Sequence, residues 1–155
     1  MRDLIKILIW LFFVFLAVIV QTNRFLELNG VNPNLILLFI LLAVIWEKEF
    51  RKALILIFLI IALSTVVLPY WSKQILTLGG LGLLALLFKK FLTGGILGDF
   101  LILILLGSLG FYLITDYQYF FTDPIAIIAE LFYNMGLGAI LIIILKFFQR
   151  QTKLA

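Results

Sequence analysis

The sequence predicts an all-α, polytopic membrane protein with six transmembrane helices forming a single integral membrane domain over residues 1–155. Three observations carry this reading. Hydrophobic residues make up 65% of the chain and the mean hydropathy is +1.27, against an apolar share of about 45–50% in soluble domains. Apolar runs recur along the whole length, whereas a secretory signal would supply one, at the N-terminus. The basic residues stand between those runs in an alternating register, as membrane topology requires.

The first span, about residues 4–21, carries Arg2 and Lys6 ahead of its apolar core, as a signal peptide would. Val18, Ile19 and Val20 before Gln21 offer no small-x-small cleavage site, so the segment is expected to stay as a helix. A polar link follows, and Asn32-Pro33-Asn34 supplies a turn and a helix start. The second span, 35–46, is only twelve residues, a rise of about 18 Å against a hydrocarbon core of about 30 Å. Either the Gly30–Asn34 segment dips into the membrane within a protein-lined space, or Glu47, Lys48 and Glu49 lie among headgroups where the bilayer thins.

The third span, 53–68, follows the hydrophilic break Glu47–Lys52 and is closed by Pro69-Tyr70-Trp71, a helix breaker beside two interfacial aromatics. The fourth, 75–88, contains Gly79, Gly80 and Gly82, which would let a neighbouring helix approach closely, and Lys89 and Lys90 stop it. The fifth, 96–114, leads into an acid- and aromatic-rich interfacial loop, Thr115–Pro124. The sixth, 125–148, ends in a short basic tail. With six spans and both termini inside, the inner segments hold Arg2, Lys6, Lys48, Arg51, Lys52, Lys89, Lys90, Lys146, Arg150 and Lys153, and the outer ones only Arg24 and Lys73. That ten-to-two split follows the positive-inside rule, and omitting the short second span would scramble it. Pro33, Pro69 and Pro124 all fall at outer helix ends. No soluble domain, linker or inverted repeat is evident.

The net charge of +4 is scattered singly among apolar runs, which suits membrane lipid and argues against a nucleic-acid partner. The absence of cysteine and histidine removes thiol nucleophiles, disulfides, imidazole bases and most transition-metal sites. An aspartyl dyad is excluded as well: Asp99 and Asp116, seventeen residues apart on one helix, would stand about 25 Å from each other. Ser64 and Thr65 have no base beside them and are expected to bond back to the helix backbone. No enzyme, cofactor or metal is expected.

Ionisable groups at membrane depth are costly and therefore candidates for function. Asp99 shares a helical face with Gly107 and Gly110; it is either a partner or ion contact in a cleft of small residues, or an acid favoured by the helix dipole near Lys89 and Lys90. Glu130, Asn134 and Gly138 recur every four residues, which puts a carboxylate, an amide and a small residue on one stripe of the last helix. The stripe either glues helices together by hydrogen bonds or receives a partner helix or polar ligand.

The chain resembles the rod shape-determining protein MreD family. The likeness rests on the size with six short spans, on N-P-N-L-I-L-L-F-I-L-L from Asn32, on L-L-F-K-K-F-L from Leu86, and on the ending E-L-F-Y-N-M-G-L-G-A-I-L-I-I-I-L-K from Glu130. The family's Pro-Asp or Pro-Asn before the leucines of the second span falls on Pro33-Asn34, and its Tyr-Asn pair falls on Tyr133-Asn134. The family's acidic residue near the end of the third span has no counterpart in A-L-S-T-V-V-L-P-Y-W-S, Ala62 to Ser72. The resemblance implies a non-enzymatic component of the cell-elongation (rod shape, peptidoglycan synthesis) machinery in the bacterial cytoplasmic membrane, with both termini cytoplasmic. It would bind an MreC-like protein and, with it, link MreB filaments to RodA and a penicillin-binding protein. The candidate partner-binding residues are Asn32, Pro33, Asn34, Asp99, Glu130, Tyr133 and Asn134.

MreD proteins are also similar in fold to the substrate-binding S-components of energy-coupling-factor vitamin transporters, which supplies the alternative: a small-ligand-binding subunit. Such a subunit docks through an Ala-x-x-x-Ala surface on its first helix, where this chain has only Ala17 among bulky residues. The few polar residues available to a pocket (Asn32, Asn34, Glu130 and Asn134) also weigh against a vitamin site.

Overall fold

The computed structural model describes residues 2–67, 72–92 and 95–154, with side chains described within 7–67, 73–92 and 95–147. The elements are α1 (Arg2–Thr22), α2 (Leu35–Trp46), α3 (Phe50–Val67), α4 (Ser72–Phe88), a 3-10 turn (Lys89–Phe91), α5 (Ile96–Thr115), α6 (Tyr119–Thr122) and α7 (Pro124–Leu154). Among the described residues the only extended pairing is one isolated bridge, Leu28 with Val31. The protein is all-α, and its apolar helices make a multi-pass membrane architecture. Phe50–Val67, Lys73–Phe91, Ile96–Thr115 and Pro124–Phe147 are each long and apolar enough to cross a bilayer; the apolar part of α1, Ile7–Thr22, and α2 are shorter. Pro69, Tyr70 and Trp71, expected to close the third span, lie outside the described residues.

The short helix is the centre of the molecule. Nine of the twelve residues of α2 are buried, and the helix is enclosed by α1, α3, α4, α5 and α7. A helix apolar on every face belongs in such a position, because no stripe of it would suit water. Ile36, Leu37, Leu38, Ile40 and Leu41 are fully enclosed. Neighbouring helices, rather than lipid, surround α2, so its length needs no match to a bilayer.

The outer face of the bundle is apolar as well: Phe12, Phe58, Val66, Leu106, Phe132 and Ile143 are all exposed. In water so continuous a surface would aggregate, whereas in hydrocarbon it is the expected exterior. Close approach between helices uses glycine at two decisive places. A Cβ on Gly82 would stand 2.5 Å from Ile40 Cγ2, so α4 lies directly on α2. One on Gly138 would run into Ile104 and stand 3.0 Å from the Phe100 ring, so α7 lies directly on α5. Gly80, expected to share this role, faces open space. Ser64 and Thr65 bond back to Ile60 O (2.8 Å) and Ile61 O (2.7 Å).

Several boundaries differ from the sequence reading: α3 begins at Phe50 and α4 at Ser72, each three residues before the expected start. The acidic loop contains the one-turn helix α6, and α7 runs on to Leu154, because Lys146 to Leu154 contains neither Gly nor Pro to stop it. At its start, α7 is capped by Asp123, whose carboxylate accepts from Ala126 N at 3.0 Å, with Pro124 in the first turn.

Candidate functional site

The first turn of a helix leaves its leading N–H groups without intrahelical partners, and inside an apolar bundle the protein has to supply them. At α2 each one is met by a particular group. Asn34 N donates to Asn134 Oδ1 of α7 (2.9 Å), and Leu35 N to Pro33 O (3.1 Å). Ile36 N donates to Gln21 Oε1 of α1 (3.0 Å), and Leu37 N to Asn34 Oδ1 (3.1 Å). Asn34 is therefore both the N-cap of α2 and a buried junction, 6% exposed. The Asn32–Asn34 segment is folded inward, with Pro33 buried.

The approach to this turn is made locally. Asn29 and Gly30 both have positive φ (51° and 84°), the combination that a type I′ turn needs, and Leu28 and Val31 exchange hydrogen bonds of 2.9 Å across it. Tyr133 OH donates to Leu26 O (2.6 Å), tying α7 to this loop. Asn32 Nδ2 donates to Gln21 O (2.9 Å), returning the chain to the end of α1.

Asn134 is completely buried and completes a network between α2, α5 and α7. While its oxygen accepts from Asn34 N, its Nδ2 donates to Ser108 Oγ of α5 (3.2 Å) and to Glu130 Oε1 one turn earlier (3.4 Å). Glu130 Oε2 accepts from Tyr112 OH of α5. The stripe Glu130–Asn134–Gly138 thus joins helices along its whole length: a carboxylate held by a phenol, an amide held by a backbone N–H, and a glycine under a neighbouring helix.

Glu130 also faces a cavity of about 380 Å³, open at the end of the bundle that bears the N-terminus of α2. Arg24, Asn32, Gln74, Tyr112, Asp116 and Tyr119 share its wall. A second hollow of about 240 Å³ continues inward past Gln21 and Asn34. Tyr112 and Tyr119 stack with ring centroids 5.6 Å apart and planes 25° from parallel. Partial burial, followed by the carboxylates of Asp123, Glu130 and Asp116, raises the Tyr119 pKa, which keeps its phenol neutral near physiological pH. Arg24 Nε is engaged by Glu27 (3.0 Å). Among the described residues no group of three His, Cys, Asp or Glu side chains is placed to hold a metal ion.

The structure therefore gathers Asn32, Pro33, Asn34, Glu130, Tyr133 and Asn134 at one end. Asp99 is elsewhere: it is 3% exposed in the first turn of α5, beside a small hollow shared with Ile45, Lys89, Leu92 and Ile96. There Lys89 Nζ donates to Glu47 O, closing the end of α2. Sequence reasoning missed Gln21, Ser108, Tyr112 and the rim residues Arg24, Gln74, Asp116 and Tyr119. Ser108 and Tyr112 stand four residues apart, so the spacing rule that exposed the α7 stripe would have found its counterpart on α5. The Asn29-Gly30 dipeptide was a readable hairpin signal. Comparison with family models, with curated proteins and with solved structures finds no match for this chain.

Proposed function

We propose that the protein is a non-enzymatic, multi-pass component of the bacterial cell-elongation machinery, of the MreD kind, which binds an MreC-like partner in the cytoplasmic membrane. The observation that supports this best is the direct joining of the two segments on which the resemblance rests. Pro33-Asn34 and Tyr133-Asn134 lie 100 residues apart, and Asn34 N meets Asn134 Oδ1 at 2.9 Å inside the bundle. A motif pair whose side chains are spent joining α2, α5 and α7 in one buried junction suits a rigid platform for partners better than a reaction centre. In this reading all six helices longer than one turn cross the membrane, both termini are cytoplasmic, and the Asn34 end faces outward. Rod shape restored by this chain in a rod-shaped bacterium lacking its own MreD-type protein, together with co-purification of an MreC-like protein, is the expected result. Correct membrane insertion with neither outcome would sink the proposal.

The polar cavity favours one second reading, a small-ligand-binding subunit of the S-component kind. Its walls carry more polar groups than the four the sequence suggested. Against it, the single alanine of α1, Ala17, is buried in the core and cannot contribute to an Ala-x-x-x-Ala docking face. A vitamin that raises the melting temperature strongly and saturably would favour the transporter reading over the scaffold.

A further inference from the structure

We propose that the cavity at the Asn34 end is a binding site for a primary ammonium group, carried by a free amine or by a lipid headgroup. The site rests on the cavity alone and holds for either functional reading above. Asn32, Glu130 and Asp116 bring acceptors to its wall, beside the donors of Arg24, Gln74 and Tyr119. Asn32 Oδ1 is buried and accepts from no group among the described residues. Its amide cannot simply be turned over, because Nδ2 already donates to Gln21 O at 2.9 Å and the exchange would set two oxygens against each other.

Glu130 is the second acceptor. Its two oxygens take hydrogen bonds from Tyr112 OH and Asn134 Nδ2, both neutral donors, and it forms no ion pair among the described residues. A half-buried carboxylate held only by neutral donors is the side chain that gains most from an incoming cation. Asp116 adds a third acceptor at the rim. Of the nearby cations, Arg24 pairs through Nε with Glu27 at 3.0 Å, and Lys73 Nζ donates to Thr115 O at 2.8 Å.

An ammonium brings three N–H donors for these acceptors. The stacked Tyr112 and Tyr119 rings, with Phe111 beside them, offer aromatic faces of the kind that attract cations. The volume of about 380 Å³ falls in the range of small-ligand pockets. A transition-metal ion suits the wall less well, since no group of three His, Cys, Asp or Glu side chains is placed to hold one among the described residues. Because the cavity opens at an end of an apolar bundle, the amine of phosphatidylethanolamine reaches it as readily as a soluble amine does.

The test uses the full chain in phosphatidylcholine nanodiscs. Phenethylamine is titrated by ligand-observed NMR, with phenethyl alcohol as the neutral control. Saturable binding of the amine alone is expected, weakened about tenfold or more by Glu130→Gln. Asp116→Asn, at an exposed position, is expected to weaken it about threefold and carries the comparison if Glu130→Gln lowers the melting temperature. In a second arm, nanodiscs of matched acyl chains contain phosphatidylethanolamine, and retained lipid is read by native mass spectrometry. Lipid retention with loss of the phenethylamine signal identifies the headgroup as the source, and a persisting signal identifies the free amine. Equal binding of amine and alcohol, no retention of either amine or lipid, or unchanged amine binding in both variants overturns the proposal.

Discussion

Asn134 holds the junction because, alone among the described residues, its side chain accepts from the N-cap of α2 while donating to α5 and α7. Replacing it with leucine removes the buried partners of the Asn34 N–H and the Ser108 hydroxyl. Each such group costs about 1–3 kcal/mol. Asn134→Leu is therefore expected to lower stability by about that amount or more, measured by thermal melting in detergent. Gln21→Leu orphans the Ile36 N–H and should cost a similar amount. Both residues cap the same helix, so the double variant should depart from additivity by about 0.5 kcal/mol or more. Strict additivity would show that α2 is not held as one unit.

At the scale of elements, glycines that look alike in sequence do different things. Gly138 lies under Ile104 and Phe100, whereas Gly136, two residues earlier on the same helix, has open space where a Cβ would go. Gly138→Leu is expected to cost about 1–3 kcal/mol through overpacking. Gly136→Ala should be neutral or raise stability by up to about 1 kcal/mol, as alanine favours helix. Melting curves of the two variants in one detergent check the contrast. The four-residue spacing on α7 was legible in the sequence, and so was the start of α2 at Asn34. Which glycine meets a neighbour was not, because helix phase relative to another helix is set by packing and not by local spacing.

For the whole molecule, the two ends of the bundle carry different chemistry. Arg24, Asp116 and Glu130 share the cavity at one end, and Glu47, Lys89 and Asp99 lie together at the other. The chain has no cysteine, so single cysteines at Arg24 and Tyr117 should react with an impermeant thiol reagent from one side of the membrane, and those at Lys48 and Phe91 from the other. Labelling of all four from one side would refute the arrangement. Composition, apolar run lengths and charge register determined the all-α membrane class and most helix boundaries, since these depend on the transfer of each segment into lipid. Only the tertiary structure decided that the shortest helix sits at the centre, that Asn34 is folded inward onto Asn134, and that Tyr112 and Glu130 line a common cavity. Those outcomes depend on which residues distant in sequence meet, and each segment alone is apolar enough to have packed elsewhere.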